Sequence, residues 1–531
     1  MPNKDKYQLL YAILINAALF ILFLLFTHPI YDTNEDVYIL YRLSGGFGTA
    51  PTELLHYNHL MHPYLGALLK QLFIWNDAVN WYTLSLLLAH FIACTVLLYY
   101  ILSQYRLLTG ITAYLLLFIV FECQLLLAIN FSNASLLLGG SGLIILSRYA
   151  KEDKKSYAPL IAAGACILLA SFFRIHVLVI PAIIAAPFLA ILSLKKKSIP
   201  TLCAIVVIIG IVVLFNQLQQ GYYNRHIPNW KKEEAYRQHI YRFYNNYTLY
   251  APQAGEKWFT ENGLIQNGFP IDTNFLSAGK LDDMYTALSS KEKIQPPVEP
   301  GGKNWIWINN RILLASFLVL ISFPAFNRRL AFTAALTAVA YTVVYIWLMY
   351  NLKTSVYMLT GAALFFIAMV LLYGRERTIP RRLFDTVRLS IAVLLMAWGI
   401  VRIYKADQKN RLDNQKFVTI QQEIQSQPNQ LFINTPTGLP VQKYYIFDTP
   451  KKNPLANLLE NEFFLHGDYR QYFTRLGINQ FAEVPRVNTI LFLGDRIPAL
   501  ENYFSTVTGK PVKAISVKEF TAVHAYRILH E

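Results

Sequence analysis

The sequence predicts an α-helical polytopic membrane protein of about eleven spanning helices with a small α/β extracytoplasmic C-terminal domain. Three observations predict it. Of 531 residues, 54% are hydrophobic and only 15% charged, richer in apolar residues and poorer in charge than a soluble globular average. Apolar runs of roughly 16 to 22 residues recur along the chain, close to the length a hydrocarbon core demands. Lysines and arginines gather in every second connection between those runs, as the retention of basic residues on the cytoplasmic side requires. The formal charge of +16 is divided among these short clusters instead of covering one domain, which argues against a nucleic-acid partner.

Taken in order, the spans fall near 8–28, 82–102, 109–128, 131–147, 157–173, 176–194, 199–216, 305–323, 330–350, 355–373 and 386–404. Lys4 and Lys6, Arg106, Arg148 with Lys151, Lys154 and Lys155, Lys195 to Lys197, Arg328 and Arg329, and Arg375, Arg377, Arg381 and Arg382 mark the cytoplasmic side. An odd number of spans then places the amino terminus inside and the tail outside. The predicted division is a transmembrane domain over 1–404, with outer loops at 29–81 and 217–304, and an extracytoplasmic α/β domain over 405–531. No small-residue cleavage site flanks the first span, so it reads as an uncleaved anchor. Cys94, Cys123, Cys166 and Cys203 all lie in apolar runs without metal-type spacing, which excludes a disulfide framework or a zinc cluster. The ribbon SGGFG at 44–48 is too short for a phosphate loop and follows no strand.

In the first outer segment, Val37, Leu40 and Leu43 have helical spacing, a glycine stop follows, and Thr49 and Pro51 mark a second start. Two short interfacial helices are expected. Pro63 should break or kink the second, with His56, His59 and His62 on its polar side. The segment 217–304 carries the helical text EEAYRQHIYRFYNNYTLY and then turns that include Asp272, Asp282 and Asp283. In the tail, LFIN, YYIFD, TILFLGD and VKAISV read as strands, and NPLANLLENEFFL and IPALENYFSTV as helices. No repeat of matched helix pairs suggests a transporter built from inverted halves.

Asp32, Glu35 and Asp36 follow the first span. A carboxylate held at a partly desolvated site can take a proton from an acceptor hydroxyl; the alternative is a solvated helix start in which Asp36 complements the helix dipole. Glu122 lies inside the third span, where an ionisable group is costly. It faces the same outer cavity as Asp36, pairs with Arg174, or snorkels to the surface. Arg174 and His176 in the turn between spans five and six, Arg311 near the outer end of span eight and Lys353 beyond span nine are cations on the less basic side. They would suit a lipid phosphate or serve as interfacial anchors. His56, His59 and His62, spaced by three, could offer two metal ligands from one face, although surface histidines have the same spacing.

The order of parts resembles the C-type glycosyltransferase superfamily (GT-C), whose members take sugars from polyprenyl-phosphate carriers. Over roughly the first hundred residues the chain is similar to a group of bacterial membrane proteins supposed to act in surface polysaccharide assembly. Asn34, Glu35 and Asp36, Ser44 and Gly45, and Trp81 and Tyr82 carry that similarity. The resemblance implies an inverting glycosyltransferase in a bacterial inner membrane, moving a sugar from a polyprenyl-phosphate donor to a lipid, glycan or protein acceptor on the outer face. Asp36, or its neighbour Glu35, matches the acid of the first outer loop, and Glu122 an acidic position near the third-to-fourth turn. Arg174, His176, Arg311, Lys353, His59 and Arg242 are the expected substrate-binding residues, and a divalent metal, magnesium or manganese, is the cofactor such chemistry admits. A polysaccharide polymerase or ligase, kept alive by Arg237, His239 and Arg242, and a lipid-linked oligosaccharide flippase or transporter are the rival functions.

Overall fold

The computed structural model describes residues 2–55, 60–151, 156–193, 199–244, 249–269, 272–290, 311–324, 328–351, 356–374, 382–460, 469–520 and 523–531. Apolar runs satisfy their own backbone only as helices, and they supply most of the elements here. The helices are α1 (Pro2–Phe26), α2 (Asn34–Ser44), α3 (Pro63–Trp75), α4 (Trp81–Gln104), α5 (Leu107–Leu127), α6 (Phe131–Lys151), α7 (Ala158–Arg174), α8 (Val179–Ser193) and α9 (Ile199–His226). They continue with α10 (Trp230–Tyr244), α11 (Phe259–Gln266), α12 (Ala278–Ser290), α13 (Arg311–Ile321), α14 (Arg328–Asn351), α15 (Val356–Tyr373), α16 (Arg382–Gln425), α17 (Tyr469–Arg475) and α18 (Pro498–Thr508).

Among the described residues, six helical stretches are long and apolar enough to cross a membrane: Tyr7–Phe26, Trp81–Gln104, Leu107–Leu127, Ala158–Ala190, Ile199–His226 and Thr386–Gln425. The protein is an integral membrane protein. The stretch Ala158–Ala190 holds two of the expected spans, because Arg174 adopts an extended backbone (φ −163°, ψ 99°) and a 3-10 turn, Ile175–Leu178, separates α7 from α8. The other expected spans coincide with α6, α13, α14 and α15, which are shorter or less apolar. Buried α6 packs against α4, α7, α8 and α15 and forms the centre of the bundle. The last span does not stop near residue 404; α16 runs 44 residues without a break to Gln425.

Between α1 and α4, the chain departs from expectation at Pro63. No second helix begins at Thr49; α3 begins at Pro63, where a fixed φ and a missing N–H suit the first helical position. His62 caps that helix, stacks on Phe172 and meets the Phe215 carbonyl through Nε2 at 3.0 Å. It is a packing residue, and burial lowers its pKa. His56 and His59 lie outside the described residues.

Five strands form the tail sheet: β3 (Leu431–Asn434), β4 (Leu458–Leu459), β5 (Ile490–Leu493), β6 (Val512–Phe520) and β7 (Val523–His530), after the short β1 (Ile30–Tyr31) and β2 (Ala128–Ile129). Their order is β4-β3-β5-β7-β6, with β4, β3 and β5 parallel and β7 antiparallel to both its neighbours. LFIN, TILFLGD and VKAISV are strands as expected, and IPALENYFSTV supplies α18. NPLANLLENEFFL supplies β4 where a helix was expected, and its residues from 461 lie outside the described set. YYIFD is not a sheet strand. Its backbone turns to the membrane part: the Ile446 amide donates to the Pro29 carbonyl at 3.3 Å, and the Ile446 carbonyl accepts from Asn80 and Thr83 at 2.7 and 2.8 Å.

That contact belongs to a continuous seam. The Tyr41 hydroxyl donates to the Asn453 carbonyl, Leu455 N–H to the Gly46 carbonyl, and the Tyr472 hydroxyl to the Phe47 carbonyl. The SGGFG ribbon, no phosphate loop, is what allows this approach. Gly45 closes α2 at φ +78°, and a Cβ on Gly46 would lie 2.4 Å from the Pro450 side chain. Asn80 is the densest point of the seam. Its Oδ1 caps α4 at the Thr83 amide while Nδ2 donates to the Tyr31 hydroxyl and the Ile446 and Asp448 carbonyls. Asn80→Ala should therefore destabilise the junction by about 2–4 kcal/mol, from a lost cap and newly orphaned buried acceptors. Faster proteolysis between residues 426 and 460, with α1 to α9 still protected, is the expected readout; unchanged proteolysis would show that the seam does not depend on this residue.

Candidate active site at the end of the first helix

The acidic turn is built by three elements that the sequence separates widely. After α1, β1 pairs in parallel with β2 at the end of α5, Ile30 opposite Ala128 and Tyr31 opposite Ile129. This ties the C-terminal ends of α1 and α5 together and leads into α2 on one side and α6 on the other. Thr33 caps α2, and Asn130 accepts the Asn133 amide at the start of α6 at 2.8 Å.

Asp36 points inward between these helix starts and is fully buried. Its Oδ1 accepts the Tyr82 hydroxyl at 2.7 Å and the Phe131 amide, at the N-terminus of α6, at 3.0 Å, and its Oδ2 accepts the Thr33 hydroxyl. Desolvation wins over these three hydrogen bonds and pushes its pKa up to about 7. The dipole it complements is thus that of α6 as well as its own helix. Asp32, one turn earlier, accepts from the Asn130 side chain at 3.1 Å, and burial raises it to about 6. Tyr82, half of the Trp81–Tyr82 pair noted in the sequence, supplies a direct donor to the acidic motif.

Glu35 is the accessible member of the motif. Its carboxylate, 35% exposed, lies 3.8 Å from the Arg174 guanidinium, which is 20% exposed. Arg174 also donates to the Ser132 hydroxyl at 2.7 Å and stands over the Phe131 ring. The described structure therefore joins Glu35, Asp36, Arg174 and the N-terminus of α6 in one neighbourhood. His176, two residues on, is exposed.

Glu122 lies elsewhere. It ends a π-helical turn, Phe118–Glu122, and its Oε1 meets His90 Nδ1 at 2.7 Å with both side chains fully buried. The expectation that Glu122 faces an open outer cavity with Asp36, or pairs with Arg174, is corrected: its partner is His90, and Arg174 is engaged by Glu35. Tyr82 and His90, the contacts of the two acids, are eight residues apart on α4, about 12 Å along its axis. Glu122 Oε2 and His90 Nε2 have no partner.

Arg311 opens α13, and Lys353 lies outside the described residues. Arg242 and His239 both engage Asp282, and Arg237 is buried over Trp230 at 4.3 Å; the three do not form one cationic cleft. Among the described residues, no three acidic, histidine or cysteine side chains converge as a metal site.

Neither protein-family models nor curated protein sequences match the chain. Among solved structures, it is similar to crystal structures of ArnT from Cupriavidus metallidurans, one in the apo state and one bound to undecaprenyl phosphate. The identity is 10% in each case over 97% of both chains, with TM-scores of 0.45 and 0.44.

Proposed function

We propose that the protein is a membrane glycosyltransferase that moves a sugar from a polyprenyl-phosphate donor to a lipid, glycan or protein acceptor on the outer face of a bacterial inner membrane. The amino terminus is cytoplasmic and the tail domain outside. One observation carries the reading: a carboxylate enclosed at the outer end of the first span, held near neutral pKa and bordered by an accessible carboxylate–arginine pair.

In this reading Asp36 is the base. An acceptor hydroxyl replaces Thr33 at Oδ2 and passes its proton to that oxygen as its own oxygen attacks the anomeric carbon. The bond from that carbon to the phosphate oxygen breaks, and the prenyl phosphate leaves with the electron pair. Arg174 stabilises the departing anion once its weak, partly solvated contact with Glu35 opens. Glu35 holds Arg174 until then. Glu122 supports the site from below, through α5 and β2. The enclosed acids and the large outer mass favour transfer over transport.

Proteoliposomes supplied with a polyprenyl-phosphate sugar and a lipid acceptor test the reading directly. Arg174→Ala should lower kcat by about 10²-fold, the scale of removing one donor to a developing anion. If labelled sugar never leaves the carrier with wild-type protein across lipid, glycan and peptide acceptors, the function is something else.

A further inference from the structure

The first turn of α4 carries two contacts that point in different directions. Tyr82 donates to Asp36 Oδ1 at 2.7 Å, and the next residue, Thr83, donates to the Ile446 carbonyl of the tail at 2.8 Å. Both side chains are fully buried. Ile446 belongs to a short tail segment, residues 444–448, that is laid across β1 and α2. Ile30 pairs with Tyr445 in an antiparallel bridge, and the Tyr444 ring stacks on Tyr31 at 6.4 Å and meets Tyr41 edge-on at 5.7 Å.

The hydrogen bonds at this point run in one direction. A carbonyl only accepts, so the single hydroxyl hydrogen of Thr83 goes to Ile446. Tyr31, whose hydroxyl lies 2.6 Å from Thr83 Oγ1, is therefore the donor to it, and Tyr31 receives in turn from Asn80 Nδ2 at 3.0 Å. Tyr31 also carries β1, whose partner β2 leads into Phe131, the second donor to Asp36 Oδ1. Resting on the transferase reading above for the role of Asp36, we propose that Thr83 is a positioning residue of that site: its hydroxyl locks the first turn of α4 to the tail segment 444–448 and so keeps Tyr82 on Asp36.

Successive side chains of a helix project about 100° apart from one rigid backbone. A movement of α4 that frees Thr83 from Ile446 therefore also draws Tyr82 from Asp36. The hydrogen bond from Tyr82 favours the ionised carboxylate. Together with the Phe131 amide it pins Oδ1, which leaves Oδ2 for an acceptor hydroxyl. Titratable groups face Asp36 from three elements, Tyr82 from α4, Tyr31 from β1 and Glu35 from α2 itself, while α6 presents the Phe131 amide. The tail acts on this set through a backbone carbonyl, so its effect follows from where the segment lies.

The test reads Asp36 without any substrate. The full chain in nanodiscs is titrated with pH by infrared spectroscopy, and the carboxyl C=O band of Asp36 is assigned in each variant by difference from the same protein carrying Asp36→Asn. Tyr82→Phe, which removes a donor to the carboxylate, should raise the midpoint by about one pH unit. Thr83→Val removes no partner of Asp36, yet it should raise the midpoint by about half a unit. Thr83→Ser, which keeps the hydroxyl, should return the wild-type value. Combined with Tyr82→Phe, Thr83→Val should add nothing, because it acts through that phenol. If Thr83→Val does not fold, Tyr31→Phe breaks the next link and carries the same expectation. A wild-type midpoint in Tyr82→Phe or in Thr83→Val, or a Thr83→Val shift that adds in full to that of Tyr82→Phe, overturns the inference. The titration contains no donor and scores no transfer, so the positioning role and the transferase reading fail separately.

Discussion

Asp36→Asn should lower sugar transfer by about 10²–10⁴-fold, the range of a positioned general base, while the protein still inserts and folds. The asparagine keeps the size and two polar atoms of the side chain but cannot take a proton. In wild type the base must be ionised, so kcat/KM should rise with pH and level off above about 7, where burial places the group. Stability runs the other way. The folded pKa lies above the ordinary value of 3.8, so the stability contributed by this group is fully present below about pH 4 and is lost as pH rises through about 7. At pH 8 the neutral asparagine therefore removes a buried charge, and a loss of transfer there cannot be assigned to unfolding. Wild-type turnover in Asp36→Asn, measured in proteoliposomes with labelled donor, would remove Asp36 from the chemistry.

His90→Leu should destabilise the spanning part by about 3–5 kcal/mol, because Glu122 is left in the bundle without the group that faces it. Glu122→Leu should cost a similar amount for the same reason. The double variant should cost less than the sum of the two, since neither orphan survives and the two leucines restore apolar contacts. Unfolding in detergent followed by tryptophan fluorescence gives the three values. Strict additivity would mean that the 2.7 Å contact contributes nothing. Glu122→Leu should also slow transfer less than Asp36→Asn does, because Glu122 reaches the site only through β2.

Much of this arrangement could be read from the chain, and what could not be read has physical causes. The body and stop of α2 were legible because Val37, Leu40 and Leu43 keep helical spacing and Gly45 takes the left-handed backbone; its cap, Thr33, is an equally local signal that was not read. The strands of the tail were legible where short apolar runs or alternation stand between turn residues, as in LFIN, TILFLGD and VKAISV. YYIFD has the same look but forms no sheet strand; the Ile446 carbonyl is claimed by Asn80 and Thr83, more than 360 residues away. β1 and β2 are two residues each, too short for any periodicity, yet they set the geometry of the acidic turn. His90 was the avoidable omission. It interrupts the apolar run WYTLSLLLAHFIAC, and a buried acid in one span is itself a reason to look for a polar partner in a neighbouring one.

The unbroken α16 fixes the rotational phase between the bundle and the tail. Beyond residue 404 it continues about 20 residues, roughly 30 Å of rod, with Asp407, Asn414 and Gln421 each bonded to the rest of the seam. One residue inserted near Lys405 would turn everything above it by about 100° and carry those three side chains off their partners. The tail is therefore mounted at a set bearing over the membrane, and whatever reaches the acidic turn must approach from the side that bearing leaves open.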